Sequence, residues 1–117
     1  MIDVYYHPRC STCKKAIKWL NENQIEYQLH DLLKNPPTKE NLKNWITMSK
    51  LPLKKFFNTS GQHYRQQNLK DKVDQMTLDE VCELLSQDGM LIKRPLAVNQ
   101  DHVTIGFNEK MYNDTWK

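Results

Sequence analysis

The chain has 117 residues, 38% of them hydrophobic and 26% charged, with a formal net charge of +3 and a pI of about 8.7. That length predicts one domain with a single modest core and excludes a second domain. The basic excess is small and the lysines are dispersed, so the charge falls short of a nucleic-acid-binding surface and supports only weak attraction of anions.

Ile2 to Tyr6 reads as a short strand, and His7-Pro8-Arg9 as a turn that delivers Cys10 to a helix. From Thr12 to about Asn23 the apolar residues Ala16, Ile17, Trp19 and Leu20 recur at helical spacing with lysines on the other face. Ile25-Glu26-Tyr27-Gln28-Leu29 alternates apolar and polar at period two, which predicts a second strand parallel to the first through a right-handed crossover. Asn35-Pro36-Pro37 breaks the chain, and Thr38 starts a helix carrying Leu42, Trp45, Ile46 and Met48. Leu51-Pro52-Leu53 opens a shorter helix ending near Phe57, and Asn58-Thr59-Ser60-Gly61 is a turn cluster. The polar stretch from His63 to Asp74 is anchored by Tyr64, Leu69 and Val73.

Thr77 with Glu80 caps a further helix, whose apolar face is Leu78, Val81, Cys82, Leu84 and Leu85, with Gly89 as its stop. Leu91 to Val98 leads into a strand, Asn99-Gln100-Asp101 turns, and His102 to Phe107 returns as a hairpin. Asn108 then caps a short terminal helix. The order is β-α-β, a helical insertion over about 36–90, then β-β-α, which predicts an α/β fold on a mixed four-stranded sheet.

The chemistry concentrates at Cys10-Ser11-Thr12-Cys13, where the first strand gives way to the first helix. A cysteine at a helix N-terminus meets unpaired backbone N–H groups and the positive end of the helix dipole. Arg9, Lys14 and Lys15 add to that field, so the thiolate of Cys10 is favoured and Cys13 stands about one turn away to close a disulfide. The same spacing serves in zinc sites, but a closed site needs four ligands. Only Cys82 and the scattered His7, His30, His63 and His102 remain, so no metal and no other cofactor is expected. Cys82, on an apolar helical face, reads as a core residue. The start Met1-Ile2-Asp3-Val4 has no leader pattern, and no apolar run approaches the roughly 18 residues that cross a bilayer. A cytoplasmic protein without a membrane partner is expected, in which a disulfide is transient and functional.

Three segments carry a resemblance to a known family: Tyr-Tyr-His-Pro-Arg-Cys-Ser-Thr-Cys-Lys-Lys-Ala (Tyr5 to Ala16), Ile-Lys-Arg-Pro-Leu (Ile92 to Leu96) and Ile-Gly-Phe-Asn-Glu (Ile105 to Glu109). Their order and spacing resemble the glutaredoxin-coupled arsenate reductases and the Spx/MgsR redox regulators, which share a thioredoxin-like fold. The resemblance implies that Cys10 is the nucleophile, that Arg94 binds an oxyanion or lies beside the thiol, and that Pro95 is a cis proline facing the site. Arg65 resembles a further arginine of that site. An arginine presents a planar fork of donors suited to paired oxygens, which fits both assignments. His7 lies three residues before Cys10, where these reductases have a histidine four before, and is read here as a turn residue that tunes the thiol.

Arsenate reductases of this family usually carry one cysteine in the loop, whereas Cys13 here is placed to resolve Cys10 internally. The resemblance therefore implies a dithiol oxidoreductase acting on arsenate or a protein disulfide as a monomer, with thioredoxin, glutaredoxin or glutathione as electron donor. The alternative is a redox-sensing regulator that binds RNA polymerase through its α-subunit. Spx regulators make that contact through a region with a key glycine. Ser49-Lys50-Leu51-Pro52-Leu53 occupies about that stretch here, and the long basic C-terminal tail of Spx is missing.

Overall fold

The β-α-β unit forms at the N-terminus of a computed structural model that describes residues 1–117. Strand β1 (Ile2–Tyr6) runs into helix α1 (Ser11–Glu22) and returns as β2 (Tyr27–Asp31), paired parallel to β1 from Ile2 opposite Tyr27 to Tyr6 opposite Asp31. Strands β3 (Leu96–Val98) and β4 (Val103–Ile105) form the hairpin, and β3 pairs antiparallel with β1. The result is a mixed four-stranded sheet in the order β2-β1-β3-β4. The α/β class and the mixed sheet expected from the sequence are both present.

Alternation along the two central strands divides the core between the sheet's faces. Ile2, Val4 and Ala97 pack with Ala16, Trp19 and Leu20 of α1 and with Tyr112 of α5 (Glu109–Trp116). Tyr5, Leu96 and Val98 point the other way, onto α2 (Lys39–Ser49), α4 (Leu78–Gln87) and the segments between them. Helix α3 (Gln62–Gln66) and 3₁₀ turns at Leu69–Asp71 and Val73–Gln75 bury Tyr64, Leu69 and Val73. Cys82 is fully enclosed in this larger core. The ion pairs of Lys39 and Lys43 with Asp79, and of Lys39 with Glu83, join α2 to α4 on the exposed surface, where such pairs add little. No helix is long and apolar enough to cross a membrane.

Two local readings change. The second strand was expected over Ile25–Leu29 and starts at Tyr27 instead. Gln24 adopts a left-handed conformation, and the Ile25 N–H donates to the Leu20 carbonyl at 3.0 Å, so Ile25 closes the end of α1. On this edge strand Leu29 is 39% exposed, so the apolar–polar alternation did not report burial there. Gly89 is not a left-handed stop. Helix α4 ends at Gln87 with Asp88 extended, and Gly89 is buried in the next turn, where a Cβ would stand 2.1 Å from the Leu32 carbonyl oxygen. Close approach of two backbones explains this glycine.

Candidate functional site

Cys10 is the N-cap of α1. Its backbone is extended, and its Sγ accepts the Cys13 N–H at 3.2 Å, the role a Ser or Asp oxygen usually fills. The preceding turn is held by His7, whose Nδ1 accepts the Arg9 N–H and whose carbonyl accepts the Cys10 N–H, both at 3.1 Å. A sulfur therefore replaces a capping oxygen where the helix field is strongest, and it stays half-exposed.

Cys13 differs in every respect. It faces the core with no exposed surface. Burial pushes its thiol up to about 12, its hydrogen bond with the Cys10 sulfur adds to the rise, and the His7 backbone and the Arg94 charge oppose it.

Cys10 opens onto a cleft of about 730 Å³ whose wall includes Arg9, Lys93 and Arg94 and no carboxylate. None of the six ion pairs of the molecule involves these three cations. Arg94 is half-buried, and its Nη1 donates to the Met90 carbonyl at 3.4 Å, a long bond that leaves its other donors free. The Arg94–Pro95 peptide is cis. The Pro95 carbonyl accepts the Gly106 N–H at 3.0 Å, and Gly106 has φ of +72°, a conformation that favours glycine. That bond brings Gly106, Phe107 and Asn108 to the rim of the cleft.

The structure thus brings Cys10 and Arg94 together, with Cys13 behind Cys10, and does not bring Arg65 to them. Arg65 is exposed in a separate cavity with Thr59, Tyr64 and Asn68, so its pairing with Arg94 on one anion does not match this arrangement. The reason is that α3 buries Tyr64 and turns its neighbour outward. His7 is both a turn residue and part of the cleft wall. Cys82 is remote in the core.

Sequence reasoning missed Asn58, Ser60 and Lys93. Lys93 lies within the Ile92 to Leu96 segment, but nothing local shows that residues 56–58 pair with 91–93. The Asn58 N–H donates to Leu91 at 2.7 Å and the Lys93 N–H to Phe56 at 2.9 Å, around an isolated bridge between Phe57 and Ile92. No three His, Cys, Asp or Glu side chains gather into a metal-binding group.

The model of the ArsC family matches residues 5–115 of this chain. The chain is 50% identical to the uncharacterized protein YusI of Bacillus subtilis, over 96% of this chain and 95% of that one. It is 31% identical to the global transcriptional regulator Spx 1 of Lactococcus lactis, over 93% and 84%. The crystal structure of a possible arsenate reductase from Streptococcus mutans superposes with a TM-score of 0.90 at 46% identity, covering 97% of this chain and 98% of that one.

Proposed function

The chain belongs to the ArsC family, and on that premise we propose that it is a cytoplasmic thiol–disulfide oxidoreductase with Cys10 as nucleophile and Cys13 as resolving thiol. The observation that carries the reading is the pairing of a half-exposed helix-capping sulfur with a buried, protonated one, at the edge of a cleft with three unpaired cations. The likeness to the S. mutans structure supports arsenate as one oxidant.

Cys10 attacks the arsenic of arsenate and displaces one oxygen as water, giving a thiol-bound arsenic(V) ester. Arg94, with Arg9 and Lys93, supplies donors and positive charge to the remaining oxygens. Cys13 then attacks the Cys10 sulfur. The arsenic leaves with the electron pair as arsenite, and the two thiols leave as a Cys10–Cys13 disulfide, so two thiols are oxidised for one arsenic reduced by two electrons. Thioredoxin, glutaredoxin or glutathione returns the dithiol.

Electrostatics orders the two steps. The Cys10 sulfur is one reason why Cys13 holds its proton. Once Cys10 carries a covalent group, that hydrogen bond and that charge are gone, and Cys13 becomes easier to deprotonate. The resolving thiol is therefore released by the event it must follow.

The test is trapping. Cys13→Ser should accumulate a one-to-one mixed disulfide on Cys10 with a disulfide oxidant, and a Cys10–arsenic adduct with arsenate, each read by intact-protein mass spectrometry. Multiple turnovers without a trapped species would remove Cys13 from the mechanism.

A second reading is favoured by the identity with Spx 1: the cysteine pair senses oxidants and the oxidised protein binds RNA polymerase through its α-subunit. A pull-down with the isolated C-terminal domain of that polymerase chain separates the two, and no binding in either redox state eliminates the regulator.

A further inference from the structure

One buried donor in the smaller core has no partner. Tyr112 of α5 is fully buried, and its hydroxyl forms no hydrogen bond with any group of the molecule. An unpaired buried hydroxyl destabilises a fold, and native structures pair nearly all of theirs. The ring is held in place by edge-on contacts with Trp19 and Phe107, whose centroids lie 5.2 and 4.7 Å away. Phe107 is also part of the cleft wall at Cys10, so Tyr112 lies directly behind that wall. Ala16 and Leu20 of α1 pack in the same cluster as Tyr112, and Cys13 stands about one and two turns before them on that face of the helix. Burial pushes Tyr112 up to about 12, the Thr104 hydroxyl opposes the rise and a charge on Cys13 adds to it, which puts Cys13 within electrostatic reach. Thr104 approaches without reaching hydrogen-bonding geometry, and its oxygen already accepts the Trp116 indole N–H at 3.1 Å.

We propose that the Tyr112 hydroxyl is the hydrogen-bond donor to the Cys13 sulfur while that sulfur carries negative charge, during its attack on Cys10. This rests on the proposed role of Cys13 as resolving thiol and adds the group that lets a buried thiol perform it. In the resting dithiol the Cys13 sulfur is neutral and a weak acceptor, so the hydroxyl stays unpaired. Once Cys10 is capped, the Cys13 anion no longer faces the Cys10 sulfur, and the His7 backbone and the Arg94 charge favour it. Cys13 has no exposed surface, so water does not solvate that anion, and Tyr112 supplies the missing donor from within the core. A donor fixed beforehand in a dry surrounding stabilises developing charge without reorganisation. Tyr112 keeps its own proton throughout. With a disulfide RSSR as oxidant, the Cys13 electron pair forms the bond to the Cys10 sulfur, the Cys10–SR bond breaks, and the departing RS⁻ takes up the proton that Cys13 lost. One disulfide is reduced by two electrons as one dithiol is oxidised.

The test separates the two steps with one equivalent of dipyridyl disulfide, which releases a coloured thiopyridone when Cys10 attacks it and a second when Cys13 displaces the mixed disulfide. In the wild-type protein stopped-flow absorbance should show both phases. In Tyr112→Phe the ratio of the second rate to the first should fall about tenfold, as for loss of one hydrogen bond to a charged group, and the pH dependence of the second phase should move to higher pH. The substitution keeps the ring against Trp19 and Phe107 and removes only an unpaired hydroxyl, so the Tm should equal or exceed that of the wild-type protein. An unchanged ratio of rates overturns the proposal. Equal slowing of both phases, or a Tm several degrees lower, also overturns it, because the hydroxyl then serves packing or a structural bond. Absence of the second phase in the wild-type protein has a different meaning: it removes Cys13 as the resolving thiol, and with it the reading on which the role of Tyr112 rests.

Discussion

Gly89→Ala sets two physical arguments against each other. By composition the change should help: away from positive φ, alanine narrows the unfolded ensemble and stabilises by about 0.4–1 kcal/mol. The structure predicts the opposite. A Cβ at Gly89 would meet the Leu32 carbonyl oxygen at 2.1 Å and its carbon at 2.8 Å, against an ordinary contact of 3.4–4 Å, so two backbones must part by more than an ångström. Neither can do so freely. Leu32 is fully buried and its N–H donates to the Tyr6 carbonyl at 2.9 Å, while Gly89 is followed by Leu91 and Ile92, both fully buried. Overpacking of this kind costs about 1–3 kcal/mol, and the upper end applies because no side-chain rotation relieves it. The net loss is about 2 kcal/mol, which lowers Tm by roughly 8 °C for a domain of this size. Urea unfolding followed by far-UV circular dichroism should show a lower midpoint at an unchanged slope. A Tm equal to or above that of the wild-type protein would refute the close approach of Leu32 and Gly89, and with it the reading of how residues 89–92 are seated below the cleft.

Further outcomes follow from the caps and the thiols. Thr77→Ala removes the 3.1 Å bond from the Glu80 N–H and breaks a capping box whose other half is the 2.9 Å bond from the Thr77 N–H to Glu80, so stability should fall by about 1 kcal/mol in the same urea assay. The Cys13 thiol titrates near 9.0 when exposed and at about 12 in the fold, so the reduced protein should lose stability as pH rises through that window, because the unfolded chain gives up the proton first. Tyr112 is likewise pushed up to about 12 from 10.0 by burial, so the Cys13 part is the difference between wild-type and Cys13→Ser melts from pH 8 to 11, and identical slopes would contradict it.

How legible the molecule is from its sequence depends on the range of the interaction involved. Helix starts were visible because a cap is a local event: Thr38, Thr77 and Asn108 each accept an N–H from three residues along. The central strands were visible because both faces of β1 and β3 are covered, which leaves a run of apolar residues. The edge strand β2 was displaced by two residues because its alternation faces solvent, and the end of α1 reaches to Ile25. Cys10 and Cys13 were legible for the same reason as the caps, since strand, turn and helix follow one another in the chain.

The sequence by itself determined the β-α-β and β-β-α units, the helix caps and the placing of the Cys10–Cys13 pair at a helix start, all set by contacts within a few residues. Tertiary structure alone decided that Lys93 joins Arg9 and Arg94 in the cleft at Cys10. The bridge between Phe57 and Ile92 seats Lys93 in the wall of the cleft that Cys10 opens onto, and the burial of Tyr64 leaves Arg65 in a separate cavity. Tertiary structure also made two chemically identical thiols unequal: the helix end leaves the first half-exposed at the cleft, and the core encloses the second and holds its proton. Those outcomes depend on backbone pairing and burial between residues far apart in the chain, which periodicity and composition do not encode.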